Sequence, residues 1–390
     1  MILAPGATIG ILGAGQLGRM LAMAAARLGL RSHVFAPETE APAFDVASAK
    51  TIAAYEDEAA LAAFAEAVDV ITYEFENVPT PCVDFLSTFQ PVRPGARALS
   101  LTQDRLAEKT FLNELGLRTA PFMAVEDAGG LVRAVAALGR PSILKTRRFG
   151  YDGKGQALIR EGSNLSALHR GLGGAPTILE GFVAFEREVS VIAARSLEGA
   201  FAAFDICENE HERHILARTR VPAAIAPATA AAAVSIARQI LEALHYVGVL
   251  AVEMFVTREA DGLEGLVVNE LAPRVHNSGH WTIDGAQTSQ FEQHVRAIVG
   301  WPLGATTRRG RIEIGLREID QDQRRTRAPS LTRVVAGARV VLVQSFQGAH
   351  RRRCSSFIRR RACRSCGTGV RAAARSRFPP CIARAARRGS

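Results

Sequence analysis

The 390-residue chain has no lysine after Lys154 and no acidic residue after Asp322. It has no uninterrupted run of about 18 apolar residues, so no transmembrane helix is expected. Its opening MILAPG lacks the basic and apolar regions of a secretory leader. These absences predict a cytoplasmic protein without a membrane partner. Cysteine is scarce before residue 308, where only Cys82 and Cys207 occur; two isolated cysteines fit a reducing compartment. Nor is the basic charge general. From Arg308 onward there are 22 arginines against four acids, a net of +18, whereas residues 1–307 carry 26 basic and 34 acidic side chains, a net of −8. A mildly acidic body argues against nucleic acid as its partner, which a uniformly basic surface would have suggested.

The length allows two or three domains. The first part alternates strand and helix: an apolar run at 8–12, a glycine turn, helical spacing from Leu17 to Leu28, and further strands at 31–36 and 68–73. That order predicts a parallel α/β sheet. Beyond Pro94 the pattern becomes α+β. A helix is expected at 103–115, then short strands at 142–145, 157–159, 177–180 and 188–194. A long helix at about 229–244, strands at 250–256 and 265–270, and a helix at about 289–299 complete it.

Four segments carry chemistry. GAGQLG at 13–18 follows a strand and opens a helix, so its backbone N–H groups can hold an anion. A dinucleotide, another ligand's phosphate or a purely structural turn would each explain it. Pro37 stands where a dinucleotide's ribose partner would help, which disfavours the first. RRFGYDGKGQ at 147–156 has glycines spaced to approach phosphates and to move as a lid, with Lys145 ending the strand before it; a solvated hairpin is the plain alternative. Asp261 and Gly262 form a turn signal. A hairpin centred there pairs residues whose numbers sum to 523, which sets Glu253 against Glu270. Two carboxylates face to face in apolar strands repel. A divalent cation relieves them, Mg²⁺ above all, with Asn269 able to add an oxygen; arginine partners or a shifted register would relieve them as well. Directly after come Arg274, His276, Asn277 and Ser278, donors suited to phosphate and carboxylate oxygens. His280 reads as a core histidine.

In this order the segments resemble the ATP-grasp superfamily, and within it the purine-biosynthetic ligases that carboxylate aminoimidazole ribonucleotide. The resemblance rests on LGAGQLGRM at 12–20, YEFENV at 73–78, the glycine segment at 150–156 and NELAPRVHNSGHWT at 269–282. It implies an ATP-grasp fold with a Rossmann-like preATP-grasp domain at 1–100, a linker helix and lid at 101–185 and a metal and catalytic domain at 186–313. It further implies ATP, Mg²⁺ or Mn²⁺, bicarbonate, aminoimidazole ribonucleotide and a homodimer. Carried over residue by residue, ATP contacts fall on Arg105, Lys145, Gly150, Tyr151, Asp152, Gly153, Lys154, Gly155, Gln156, Glu180, Gly181, Phe182, Val183, Glu188, His211, Asn269 and Glu270. The ribonucleotide falls on Gly15, Gln16, Leu17, Glu76, Tyr151, Asn277 and Ser278. Catalysis falls on Arg274, His276 and Asp152, and the metal on Glu253 and Glu270.

The chain departs from that pattern at its end. The family continues into a small β domain whose lysine reaches the active site; here no lysine follows Lys154, and residues 314–390 are rich in Arg, Ala and Cys. Such text reads as a disordered tail, of the kind an out-of-frame G+C-rich gene gives, with the frameshift near residues 313–317. Cys363 and Cys366 form half of a zinc site without the other half.

Overall fold

The computed structural model describes residues 1–150 and 155–315, all within one compact unit, Met1–Gly348. Strands β1 (Thr8–Leu12), β2 (Arg31–Ala36), β3 (Ala49–Ile52) and β4 (Val70–Tyr73) form a parallel sheet in the order β3-β2-β1-β4. Helices α1 (Gln16–Arg27), α2 (Glu58–Glu66) and α3 (Thr80–Leu86) accompany it. Successive side chains enter different cores: Ile9, Ile11 and Val34 pack with α1, while Phe35, Ile71 and Tyr73 pack with Leu61, Phe64 and Val83 of α2 and α3. Burial on both faces is why β1 and β4 read as apolar runs, while β3 is mostly exposed and was not expected.

Helices α4 (Ala96–Thr102) and α5 (Arg105–Glu114) lead into the second sheet. The Asp104 carboxylate caps α5 by accepting from the N–H groups of Leu106 and Ala107. Strands β5 (Phe122–Val125), β6 (Ser142–Thr146), β7 (Gln156–Ile159) and β8 (Thr177–Gly181) are antiparallel in the order β5-β8-β6-β7. With α6 (Ala128–Leu138) and α7 (Leu165–Gly171) they enclose a small separate core of Val125, Leu131, Val135, Leu144, Ile159 and Leu179. β5 and α6 were not expected: β5 is short and mostly half-exposed, and α6 opens on two glycines, poor helix formers.

The third sheet is antiparallel. Its strands are β9 (Arg187–Arg195), β10 (Phe201–Ala203), β11 (Cys207–Glu212), β12 (Ile215–Val221), β13 (Gly248–Arg258), β14 (Glu264–Ala272) and β15 (Ile312–Gly315). They run β14-β13-β9-β11-β12-β15, with β10 beside β9. Helix α8 (Pro227–Ala243) covers one face. After α9 (Thr282–Gly285), helix α10 (Gln290–Val299) covers the other and also meets α1. His294 on α10 pins the first sheet to the third: Nε2 lies 2.8 Å from Thr72 Oγ1, and Nδ1 accepts from Val249 N–H at 3.0 Å.

The fold reaches further than the expected tail boundary, since Ile312 and Ile314 are buried in β15. Residues 316–390, with the apolar stretch at 340–343 and Cys354, Cys363, Cys366 and Cys381, lie outside the described residues, as do Tyr151, Asp152, Gly153 and Lys154. Among the described residues no helix is long and apolar enough to cross a membrane.

Candidate active site

Glu253 on β13 stands directly opposite Glu270 on β14, the pairing expected from the sequence but reached by another route. The hairpin closes with Arg258 opposite Glu264 and with Glu259 N–H bonded to the Leu263 carbonyl, one residue out of the expected register. A bulge beside Glu253 and Met254 restores it, leaving Asn269 without a partner on β13. The Asn269 carbonyl instead accepts from Lys109 Nζ at 3.2 Å.

Each carboxylate has one oxygen engaged. Glu253 Oε1 lies 2.8 Å from His276 Nε2, and Glu270 Oε2 accepts from Arg105 Nη1 at 2.8 Å. Burial would raise the pKa of Glu270, but the adjoining Arg105 guanidinium more than offsets this and holds it at about 2. Among the described residues the second oxygen of each makes no hydrogen bond, so the pair could hold a cation there. Among the described residues no three His, Cys, Asp or Glu side chains are placed to hold a metal. A cation held by Glu253 and Glu270 would need further oxygens to complete its shell, which would suit Mg²⁺ with a polyphosphate.

Cationic groups converge beside the pair. Arg105 also donates to the Gly150 carbonyl at 3.1 Å, so one side chain spans Glu270 and the start of the glycine loop. Lys145 Nζ and Lys109 Nζ lie 2.9 and 3.4 Å from the same oxygen, Glu180 Oε2. Burial works against ionising Glu180, yet the two ammonium groups bring its pKa below the ordinary value. Its other oxygen, Oε1, is buried with no hydrogen-bond partner among the described residues.

Lys109 and Glu108 are site residues that sequence reasoning missed. Glu108 Oε1 accepts from Leu271 N–H at 2.7 Å, and burial together with Glu270 pushes its pKa to about 8. The available signal was spacing: 105, 108, 109 and 112 share one face of α5, so charged residues stand where an amphipathic helix puts its apolar stripe.

At the other end of this group His211 Nδ1 lies 2.7 Å from Glu188 Oε2. Gly181 N–H and Phe182 N–H are bonded to the carbonyls of Pro121 and Pro141, Phe182 is exposed, and the backbone of Val183 makes no hydrogen bond among the described residues. Gly155 has φ +73°, and a Cβ there would come 2.5 Å from Thr146 Oγ1. Gln156 is half-buried, its amide 3.5 Å from His214 Nδ1.

The glycine turn before α1 holds an anion from the chain itself. The N–H groups of Gly15 and Gly18 both donate to the buried carboxylate of Glu74, which follows β4. A Cβ on Gly13 would lie 2.6 Å from Glu74 Cγ, and one on Gly15 2.7 Å from Glu74 Oε1. The glycines therefore make room for a carboxylate, and the place a dinucleotide's pyrophosphate would need is filled. The N–H groups of Gln16 and Leu17, in the first turn of α1, make no bond among the described residues and remain available to an anion.

Glu76, two residues after Glu74, pairs with Arg274: Nε donates to Oε2, and Nη2 to Oε1 at 3.2 Å. Burial disfavours the Glu76 carboxylate, but Arg274 brings its pKa below the ordinary range. This ion pair joins the first sheet to the loop after β14. In that loop Asn277 is exposed and His276 buried. Ser278, expected to touch substrate, is fully buried; its Oγ lies 2.8 Å from His276 Nδ1 and 2.7 Å from Ser190 Oγ, so it faces the sheet. His280 is buried too, with Nδ1 donating to the His276 carbonyl at 3.2 Å, and burial lowers its pKa to about 4.

Comparison with known proteins agrees with this geometry. A ribonucleotide synthetase preATP-grasp domain model matches residues 6–103, and an ATP-grasp domain model matches residues 110–291. The N5-carboxyaminoimidazole ribonucleotide synthase of Brucella melitensis is 53% identical over 308 residues, 78% of this chain and 84% of that one. The Pseudomonas aeruginosa synthase is 45% identical over 302 residues, 77% and 82% of the two chains. Among solved structures, the ADP complex of an N5-carboxyaminoimidazole ribonucleotide synthetase gives a TM-score of 0.76 at 43% identity, covering 80% of this chain and 81% of that one. The Aspergillus clavatus enzyme in complex with ADP and 5-aminoimidazole ribonucleotide gives 0.70 at 26% identity, covering 79% and 81%.

Proposed function

Because the chain belongs to the N5-carboxyaminoimidazole ribonucleotide synthase family, we propose that it uses ATP and bicarbonate to carboxylate the amine of aminoimidazole ribonucleotide, releasing ADP and phosphate. The observation that carries the reading is the facing pair Glu253 and Glu270 with Arg105 and Lys145 beside it. Two facing carboxylates flanked by cationic side chains suit a metal–polyphosphate complex better than any other ligand class.

In this reading the backbone at Val183 receives the adenine, Glu188 and His211 the ribose, and Arg105 and Lys145 the phosphates. A bicarbonate oxygen attacks the γ-phosphorus, the bond to the ADP oxygen breaks, and carboxyphosphate forms. Arg274 offsets the charge on that group. Mg²⁺ held by Glu253 and Glu270 supplies further positive charge to the phosphate oxygens when bound. The free N–H groups of Gln16 and Leu17 receive the ribonucleotide's phosphate, and Glu76 its sugar. The ribonucleotide amine then attacks the carboxyl carbon, the carbon–oxygen bond to phosphate breaks, and the amine proton leaves with the phosphate. Shielding of the intermediate from water is assigned to the glycine segment at 150–156. The first, second and third sheets serve as the substrate, lid and metal-binding parts. The Glu74 carboxylate in the glycine turn counts against an NAD(P) oxidoreductase.

The test is ADP release with ATP, Mg²⁺ and bicarbonate, with and without aminoimidazole ribonucleotide. Release that requires bicarbonate and rises with the ribonucleotide is expected. Folded protein that binds ATP but shows no ribonucleotide stimulation would refute the substrate assignment.

A further inference from the structure

His276 is held by a buried chain of side chains whose hydrogen-bond directions can be deduced one after another. The start is a backbone group, which can only donate: Ser278 N–H points at His276 Nδ1, at 3.3 Å. Nδ1 is therefore an acceptor. Ser278 Oγ, 2.8 Å from the same nitrogen, must then give its proton to it as well. With that proton committed, Ser278 Oγ accepts from Ser190 Oγ at 2.7 Å. Ser190 in turn accepts from Asn209 Nδ2 at 2.9 Å, which turns Asn209 Oδ1 toward Thr219 Oγ1, its donor at 3.1 Å. Ser190, Asn209 and Thr219 lie on β9, β11 and β12, and all are buried.

Resting on the metal-site reading above, we infer that this relay fixes the ring of His276 with its hydrogen on Nε2, aimed at Glu253 Oε1. His276 then donates to the carboxylate, orients it and leaves Oε2 for the cation. Both ring nitrogens are committed, so His276 has no lone pair left to take a proton from bicarbonate or from the ribonucleotide's amine. It is a positioning residue rather than a general base, and Ser278, Ser190 and Asn209 are positioning residues behind it. Partners of this kind, one shell outside a metal ligand, commonly change metal affinity or activity about 10- to 100-fold.

The test uses the full chain labelled with 15N-histidine and kept free of metal, with His276→Gln to assign the ring. Nitrogen resonances with hydrogen on Nε2 and none on Nδ1 are expected. Ser190→Ala, which touches no ring atom, is expected to shift the Nδ1 resonance and to raise the Mg²⁺ concentration for half-maximal ADP release about 10- to 100-fold. Should that variant fail to fold, Ser278→Ala removes the hydroxyl at the ring itself and is expected to do the same. Hydrogen on Nδ1, or ring resonances unchanged in the folded variant, would overturn the relay. A ring of the expected form in a protein without ribonucleotide-stimulated turnover supports the relay and sinks the functional assignment; the reverse pattern sinks the relay alone.

Discussion

Replacing Lys109 by Met tests whether the buried charges under the site act as one network. Lys109 is 1% exposed, with its ammonium 3.4 Å from Glu180 Oε2 and 3.2 Å from the Asn269 carbonyl. Breaking a buried ion pair by removing one partner typically destabilises by about 3–5 kcal/mol. Here Glu180 keeps Lys145 at 2.9 Å, so only the longer of its two contacts is lost. The Asn269 carbonyl loses a hydrogen bond, for about 1 kcal/mol more. The expected loss is therefore about 2–3 kcal/mol. Glu180→Gln removes the charge that Lys109 answers, so the double variant should be more stable than the sum of the singles predicts, by about 1–2 kcal/mol. Urea unfolding of wild type, both singles and the double measures this. A Lys109→Met variant within about 0.5 kcal/mol of wild type, or strict additivity, would refute the network. In the Met variant Lys145 is left as the hydrogen-bonded partner of Glu180 among the described residues, so weaker ATP binding should accompany the stability loss.

Gly13→Ala should destabilise by about 1–3 kcal/mol through overpacking alone, since its Cβ would lie 2.6 Å from Glu74 Cγ at a φ of +98°; adding Glu74→Ala should return part of that loss in thermal unfolding. For Glu270 the folded pKa, about 2, lies below the reference 4.5. Its stabilisation is therefore complete above that reference and lost as pH falls toward about 2. Acid unfolding should show Glu270→Gln with a flatter profile across that window, and parallel profiles would contradict the assignment. Arg274→Lys keeps a charge but not the two-point grip on Glu76. Steady-state kinetics should show kcat falling roughly a hundredfold, the scale of a 1 Å misplacement, with nucleotide affinity little changed; equal losses in both would place Arg274 in ATP binding instead.

Legibility in the sequence followed how each element meets solvent. Strands β1, β2 and β4 were readable because they are buried on both faces, whereas β3, AKTI, is mostly exposed and was not expected. The strands β11 and β12 were not, because CENEHE and ILARTRV bury only some residues and read as polar. Helix α5 was found, but the role of its buried face was not, since charges there satisfy one another only across segments far apart in sequence. The facing glutamates were located through two offsetting errors: the turn centre was misplaced, and an unforeseen bulge at Asn269 restored the register. A bulge adds one residue without changing composition, so no periodicity reveals it.

The glycine turn shows why a motif must be read with its neighbouring strand. Backbone N–H groups at the start of a helix attract an anion whether it comes from a ligand or from the chain. Spacing within GAGQLG cannot tell the two apart. The deciding residues lie in YEFENV, where Glu74 and Glu76 leave the end of the adjacent β4. Glu74 takes the donors of Gly15 and Gly18, and Glu76 takes Arg274. The motif's donors are thus divided. Those of Gly13, Gly15 and Gly18 hold the turn to its own sheet, and those of Gln16 and Leu17 make no bond among the described residues. Two N–H groups suit a terminal phosphate better than a pyrophosphate that must run along the whole turn. An acid at the end of the strand beside such a turn is therefore evidence against a dinucleotide, and here that evidence was present in the sequence.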